Sequence, residues 1–150
     1  MNPDPFNLRR FVTAQDPVIE DVLDELRAGQ KASHWMWFIF PNIQGLGSSG
    51  MARRYAVASR EEARAYHEHP LLGARLRECT RLVLDVEGRR IEQIFGCPDD
   101  LKFRSCMTLF AEVAPEEPSY REALQKYFAG EPDPRTCATL GERSDRHGSD

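Results

Sequence analysis

The sequence predicts an all-α fold in which about seven short helices pack irregularly, in an orthogonal arrangement, around a central aromatic segment. Apolar side chains recur at helical spacing in segments only a few turns long. No segment alternates apolar and polar residues as a half-buried strand does, and no internal repeat is present. The central segment is residues 33–41, S-H-W-M-W-F-I-F-P, which contains both tryptophans of the chain.

Length and composition predict a single helical domain over residues 1–140 and a disordered tail over residues 141–150, which are polar and lack periodicity. The formal net charge of −4 argues against a nucleic-acid or membrane-surface binder. No apolar run approaches the ~20 residues of a membrane span, and the start M-N-P-D-P is unlike a signal segment. A cytoplasmic protein is expected, and its oligomeric state does not follow from the sequence.

The first elements are set by turn and capping residues. A short helix or turn ends near Gln15, and Asp16-Pro17 then predicts a helix start with Asp16 as N-cap and Pro17 at the first helical position. Gly29 ends that helix. The aromatic run is predicted as a short buried helix because its neighbours are helical.

A glycine- and serine-rich loop follows and opens onto a helix predicted over residues 51–57. Ser59 and Glu62 have the spacing of a capping box. The next helix begins at Pro70 and is ended by Gly88, with its apolar residues on one stripe.

The second half of the chain predicts a single helical turn over Ile91–Phe95 and a helix that begins at Pro98-Asp99-Asp100. A clean amphipathic helix follows and is ended by Gly130. Asp133 as N-cap and Pro134 in the first turn predict a last short helix that ends at Leu140.

The cysteines and histidines predict neither a metal site nor a cofactor. The four cysteines (Cys79, Cys97, Cys106 and Cys137) include no C-x-x-C pair, so unpaired and mostly buried thiols are expected. His67 and His69 lie two positions apart and diverge on a helix, which disfavours a shared metal ion.

Several motifs, read in order, carry a family resemblance: S-H-W-M-W-F-I-F-P, G-L-G-S-S, Y-A-V-A-S, the stretch from A-R-A-Y to E-C, and I-F-G-x-P-D-D-L-K-F-R-S-x-M-T-L-F. The chain resembles, over about residues 6–140, the bacterial and fungal domain of unknown function numbered eighteen-ten. The resemblance implies one mainly helical domain without an assigned activity. Members sometimes carry an automatic calpastatin label, but nothing in this chain resembles that disordered protease inhibitor.

More remotely, the layout is similar to that of mostly helical enzymes that cleave N-glycosidic bonds of ADP-ribose-like substrates. The likeness lies in an aromatic-lined pocket with acid and lysine groups. No catalytic residue of those enzymes is carried over, because none matches position by position.

Residues 45–50, G-L-G-S-S-G, match the dinucleotide-binding string G-x-G-x-x-G, which is meaningful only between a strand and a helix. No strand precedes it here, so a Rossmann site is not expected. The loop is either a flexible surface loop or a phosphate-binding loop whose backbone N–H groups act with nearby arginines. The candidate ligand-binding residues of this region are Gly45, Gly47, Ser48, Ser49, Arg53 and Arg54.

Asp99, Lys102 and Ser105 share one flank of the helix that begins near Pro98. Lys102 can hold an anionic substrate or tune a carboxylate, and Asp99 or Asp100 can act as a base. The alternatives are ordinary caps for the two aspartates and a solvated lysine.

His34 stands beside Trp35 in an otherwise apolar run, and it can act as a base at neutral pH. Trp35 and Trp37 can stack on a base or sugar, with Ser33 at the front edge. The alternative is a hydrogen-bonded core histidine within a segment that only supplies the core.

The sequence therefore predicts one pocket lined by residues 34–40, 45–50 and 99–105, which binds, or in an enzymatic version hydrolyses, a small phosphorylated or nucleotide-like ligand such as an ADP-ribose derivative. The rival prediction is a non-catalytic interaction module or homo-oligomer, with an exposed apolar patch of several hundred Å².

Overall fold

The structure is a computed structural model that describes the backbone of residues 3–148 and the side chains of residues 3–141. Within this part of the chain the secondary structure is helical, with no strand, so the all-α prediction is confirmed. The helices are α1 (Arg9–Gln15), α2 (Ile19–Arg27), α3 (Met36–Ile39), α4 (Gly50–Arg54), α5 (Arg60–Glu68), α6 (Leu72–Asp85), α7 (Ile91–Phe95), α8 (Asp99–Val113), α9 (Pro118–Phe128) and α10 (Pro134–Gly148). These ten helices of the described residues exceed the expected seven, and three of them, α3, α4 and α7, are single turns of four or five residues.

The aromatic segment lies in the core. Trp35, Met36 and Phe40 are at most 2% exposed. The Phe40 ring centroid lies 5.1 Å from that of Phe103 on α8, edge to face, and Phe95 stacks on Phe103 at 4.9 Å. Edge-to-face and offset contacts of this kind stabilise aromatic cores beyond simple area burial.

The predicted start of α2 is wrong by two residues. Asp16 has helical backbone angles and is the C-cap of α1, and Val18 is the N-cap of α2. The Asp16 carboxylate contacts Arg75 of α6 at 2.9 Å rather than capping a helix. Asp16 therefore forms an ion pair with a residue distant in sequence and does not cap α2.

The Ser59 cap is confirmed, since its Oγ accepts a hydrogen bond from Glu62 N at 3.1 Å. Glu62 reaches back one residue further than a capping box requires and accepts from Ala58 N at 3.0 Å. The helix predicted over residues 51–57 ends at Arg54, because Val57 forms an isolated parallel bridge with Ile43. This bridge holds the glycine loop beside α4.

The last helix is capped as predicted, with Asp133 Oδ2 accepting from Thr136 N at 3.0 Å. It continues to Gly148, past the predicted end at Leu140. Residues 142–150 of the expected tail lie outside the residues whose side chains the structure describes.

Two of the four cysteines, Cys79 and Cys106, are buried as unpaired thiols, whereas Cys97 is exposed and Cys137 is half-buried. Burial raises the pKa of the Cys79 thiol to about 12, which keeps it protonated and inert. Within the described residues, no helix has both the length and the apolarity needed to cross a membrane.

Candidate functional site

A cavity of about 340 Å³ opens between α3, the glycine loop with α4, and the start of α8 with the residues around the α10 N-terminus. Its apolar lining comes mainly from the aromatic segment and the loop after it, and its charged lining comes from α4, α8, Asp133 and the start of α10. The side chains and backbone that line it belong to Met36, Trp37, Phe40, Asn42, Ile43, Gln44, Gly45, Leu46, Gly47, Ala52, Arg53, Tyr55, Ala56, Pro98, Leu101, Lys102, Arg104, Ser105, Asp133 and Arg135.

Asn42 joins the loop wall of the cavity to the helix wall. Its Nδ2 donates to Lys102 O at 3.0 Å and to Phe40 O at 3.4 Å. The loop is also held by two backbone bonds of the bridge, Gln44 N to Val57 O at 2.7 Å and Val57 N to Asn42 O at 2.9 Å. The loop wall is therefore anchored at its base on both sides.

Arg10 of α1 holds the backbone at the end of α4, residues 54–56, by hydrogen bonds. Its guanidinium donates to Arg54 O and Ala56 O, each at 2.9 Å, and pairs with the buried Glu62 carboxylate at 2.8 Å. The side chain of Arg10 is 16% exposed, so the backbone that carries Tyr55 is fixed by a largely buried cation.

Two cations of the cavity lack a partner among the residues whose side chains the structure describes. Neither Arg53 nor Arg135 makes a side-chain hydrogen bond or ion pair with any of the described residues. Arg104 is occupied, since it donates to Glu131 O and Pro132 O at 3.0 Å. Lys102 Nζ lies 3.6 Å from Asp99 and 5.5 Å from the centre of the Trp37 ring.

Asp133 is the one carboxylate among the cavity-lining residues. Its Oδ2 accepts from the backbone N–H and the hydroxyl of Thr136, and Ser105 Oγ lies 3.2 Å away. The Ser105 hydroxyl is shared, because Leu101 O lies 3.1 Å from the same Oγ. Sequence reasoning assigned Asp133 only a capping role.

Six of the predicted site residues line this cavity: Trp37, Gly45, Gly47, Arg53, Lys102 and Ser105. All three predicted segments contribute to it. The charged lining residues that sequence reasoning missed are Asp133, Arg104 and Arg135. The dipeptide Asp133-Pro134 was visible as a cap, but nothing local places it beside Ser105.

The front edge of the aromatic segment does not reach the cavity. His34 is exposed to solvent and is not the core histidine of the alternative interpretation. Ser33 Oγ donates to Glu25 Oε2 at 2.6 Å, and the buried Trp35 donates its Nε1–H to Glu25 Oε1 at 2.9 Å. Glu25 also accepts from the backbone N–H groups of Ala32 and Ser33, so these residues fasten the segment to α2.

Three residues of the predicted phosphate loop also lie outside the cavity lining. Ser49 caps α4 by accepting from Ala52 N at 3.1 Å, and Ser48 is exposed. The Arg54 guanidinium lies over the Tyr55 ring, 5.5 Å from its centre. Because α4 has only five residues and its cap is occupied, its N-terminus supplies no anion site.

Asp99 and Asp100 stand in the first turn of α8, as predicted, but do not line the cavity. Asp99 Oδ2 pairs with Lys31 Nζ at 3.0 Å. Asp100 Oδ1 is buried and has no hydrogen-bond partner among the described residues. Both carboxylates are thus set apart from the space in which a ligand would lie.

The histidines predicted to diverge are held by separate partners. His67 Nδ1 lies 2.9 Å from Tyr120 Oη, and His69 Nδ1 accepts from the backbone N–H groups of Leu71 and Leu72 at 3.1 Å. Among the described residues, no group of three or more His, Cys, Asp and Glu side chains is arranged to hold a metal ion.

A family described as "Protein of unknown function (DUF1810)" matches residues 5–140. The chain belongs to this family. Its fold is similar to the crystal structure of the conserved hypothetical protein Rv1873 from Mycobacterium tuberculosis, with 56% identity and a TM-score of 0.91. That match covers 92% of this chain and 99% of the other. A comparison with curated proteins gives no match.

Proposed function

We propose that this DUF1810 protein binds a small phosphorylated, nucleotide-like molecule in the cavity between α3, α4 and α8. The observation that carries the proposal is the pair of guanidinium groups, Arg53 and Arg135, that have no partner among the described residues at a largely apolar cavity. Guanidinium groups match the geometry of phosphate oxygens and bind them by two parallel hydrogen bonds.

The apolar part of the cavity suits a planar group. Trp37 is half-buried and forms part of the lining together with Leu101 and Tyr55. An aromatic surface beside cations is the arrangement that holds a base or sugar next to its phosphate. The volume of about 340 Å³ is near the low end of small-molecule sites, so a mononucleotide-sized group fits and a larger ADP-ribose-like ligand would extend outward.

Binding is favoured over hydrolysis. His34, Asp99 and Asp100, the predicted bases, do not line the cavity, and of the predicted catalytic residues only Lys102 does. In this site Lys102 stabilises the negative charge of the ligand.

The rival function, an interaction module, receives less support. The exposed large apolar side chains among the described residues are Met51, Leu71 and Leu101, and Leu101 belongs to the cavity lining. Three exposed apolar side chains of this size supply little of the several hundred Å² of apolar surface that such a patch requires.

The test is a thermal-shift and calorimetry screen of AMP, ADP, ADP-ribose, ribose 5-phosphate and inorganic phosphate. A ligand present at 100 times its Kd adds ~2.7 kcal/mol to the free energy of unfolding. We expect Arg53→Ala and Arg135→Ala each to weaken binding by about tenfold. Arg121→Ala, an exposed arginine of α9 that does not line the cavity, is the matched control.

The proposal fails if none of these compounds stabilises the protein at millimolar concentration. It also fails if the two cavity arginine variants bind as tightly as the Arg121 control.

A further inference from the structure

We propose that Asp133 selects the ligand of this cavity by accepting hydrogen bonds from its hydroxyl groups, so that the site takes phosphorylated sugars or nucleosides rather than simple phosphates. The inference rests on the proposed function and concerns which phosphorylated molecules bind.

The Asp133 carboxylate is held in one orientation. Thr136 is fully buried, and both its backbone N–H and its hydroxyl donate to Asp133 Oδ2. Asp133 N in turn donates to the Oγ1 of Thr108, a buried residue of α8, at 2.8 Å. The residue is thus fixed through both its backbone and one carboxylate oxygen, which preorganises the other oxygen for a ligand.

The other oxygen, Oδ1, has no hydrogen bond or ion pair with any described residue. It is also absent from the buried side-chain atoms that lack a partner, so it is accessible to the cavity or to solvent. A carboxylate oxygen accepts about two hydrogen bonds, so Oδ1 has room for the donors of a ligand.

The surrounding charges decide which donors these are. Arg53, Lys102, Arg104 and Arg135 line the same cavity and repel an ammonium group. The carboxylate itself repels a phosphate placed against it. A neutral donor remains, and the two hydroxyls of a ribose both fit one carboxylate.

The resulting arrangement separates two recognition tasks. The guanidinium groups of Arg53 and Arg135 bind the phosphate, and Asp133 binds the sugar. Recognition of hydroxyls by a polar group that the bound ligand covers discriminates strongly, because an analogue without them leaves the carboxylate desolvated and unpaired.

The experiment compares AMP with 2′,3′-dideoxyadenosine monophosphate, which differ only in the two hydroxyls, and adds phenyl phosphate as a ring-bearing anion without a sugar. Calorimetry on the full chain is expected to show AMP binding about tenfold or more tightly than either of the other two. Asp133→Asn is expected to remove that preference, because the side chain then presents an amide in place of an acceptor-only carboxylate. Glu131→Gln, a nearby carboxylate that does not line the cavity, is the control and should keep it.

Equal binding of AMP and its dideoxy analogue to the unchanged protein overturns this inference and leaves the proposed function standing. An unchanged preference in Asp133→Asn overturns the assignment to Asp133. Absence of binding by every phosphate compound overturns both proposals. Should Asp133→Asn fail to fold, the comparison of the two nucleotides on the unchanged protein still decides.

Discussion

The ammonium of Lys31 lies 3.0 Å from Asp99 Oδ2, and the other oxygen of that carboxylate lies 3.6 Å from Lys102 Nζ. Only 8% of the Lys31 side chain is exposed, and its ammonium also lies 5.2 Å from the centre of the Trp35 ring. The Asp99 carboxylate therefore pairs with two cations, Lys31 beside the Trp35 ring and Lys102 at the cavity. Asp99 thereby joins the start of that segment to the helix wall.

Removing Asp99 is expected to cost more stability than removing Lys31. Asp99→Asn leaves the largely buried Lys31 ammonium without its carboxylate, at a cost of about 3 kcal/mol in the free energy of unfolding. Lys31→Met leaves Asp99 with Lys102 and with its place in the first turn of α8, so we expect about 1 kcal/mol.

Urea denaturation measures both changes. Asp24→Asn breaks an exposed pair with Arg27 and is the control, with an expected change below about 0.5 kcal/mol. Equal losses in the two test variants would contradict this account.

Glu25→Gln is expected to destabilise the protein by about 2 kcal/mol, because a charged acceptor of four hydrogen bonds is replaced by a neutral one. Burial raises the pKa of Glu25, but the hydrogen bonds from Ser33, Ala32 and Trp35 outweigh it and the net pKa lies below 4.5. The contribution is thus present above about pH 4.5 and is lost as pH falls through the folded-state pKa. Near-ultraviolet circular dichroism of the buried Trp35 should report the loosening, and a variant with unchanged spectrum and stability would contradict the assigned role.

We expect the protein to lose stability in mild acid because the pKa of His67 is lowered in the folded state. Burial lowers its pKa below 6.5, and the nearby Arg77 adds to the effect while Glu116 opposes it. Because the unfolded chain then binds a proton before the native state does, stability falls as pH drops below about 6.5 towards the folded-state pKa. We expect the urea denaturation midpoint of His67→Gln to depend less on pH between about pH 5 and 7 than that of the unchanged protein. His69→Gln is the control, and its denaturation midpoint should change with pH as steeply as that of the unchanged protein. An equally steep change in His67→Gln would contradict the role assigned to His67.

Gly73 is a position where any side chain must collide with backbone. A Cβ there would lie 2.0 Å from His67 O and 2.9 Å from His67 C. Gly73→Ala must therefore displace α6 from the end of α5, and we expect a loss of about 2 kcal/mol or more. Gly50→Ala is the control, because a Cβ meets nothing within 4 Å there and its φ is not in the left-handed region. If Gly73→Ala melts within a degree of the Gly50 variant, the close approach of α5 and α6 is not as described.

The positions of helices could be predicted from the sequence wherever capping residues or glycines mark their ends. Gly29 follows the C-cap of α2 with a positive φ, and Ser59 caps α5. The start of α2 was misplaced because the Asp16 carboxylate binds Arg75, a partner that no local pattern reveals. The same limit applies to Val57, whose bridge to Ile43 shortens α4.

The sequence predicted only part of the candidate site. Trp37, Arg53 and Lys102 were selected from three separate segments and line one cavity. His34 and Trp35 are adjacent in sequence, yet one is exposed and the other is buried against α2. Which way each side chain points depends on Glu25, and no spacing in the aromatic run predicts that contact.

The amino-acid sequence by itself determined the helical class of this protein, most helix ends and the membership of residues in an aromatic core, since these depend on periodicity and on caps within a few positions. The tertiary structure alone decided which polar groups share a cavity. Asp133 and Ser105 are 28 positions apart, and their meeting depends on how α8 and α10 pack. Arg53 and Arg135, which have no partner within the described part of the chain, can be recognised as such only when that packing has assigned the partners of the other charged groups.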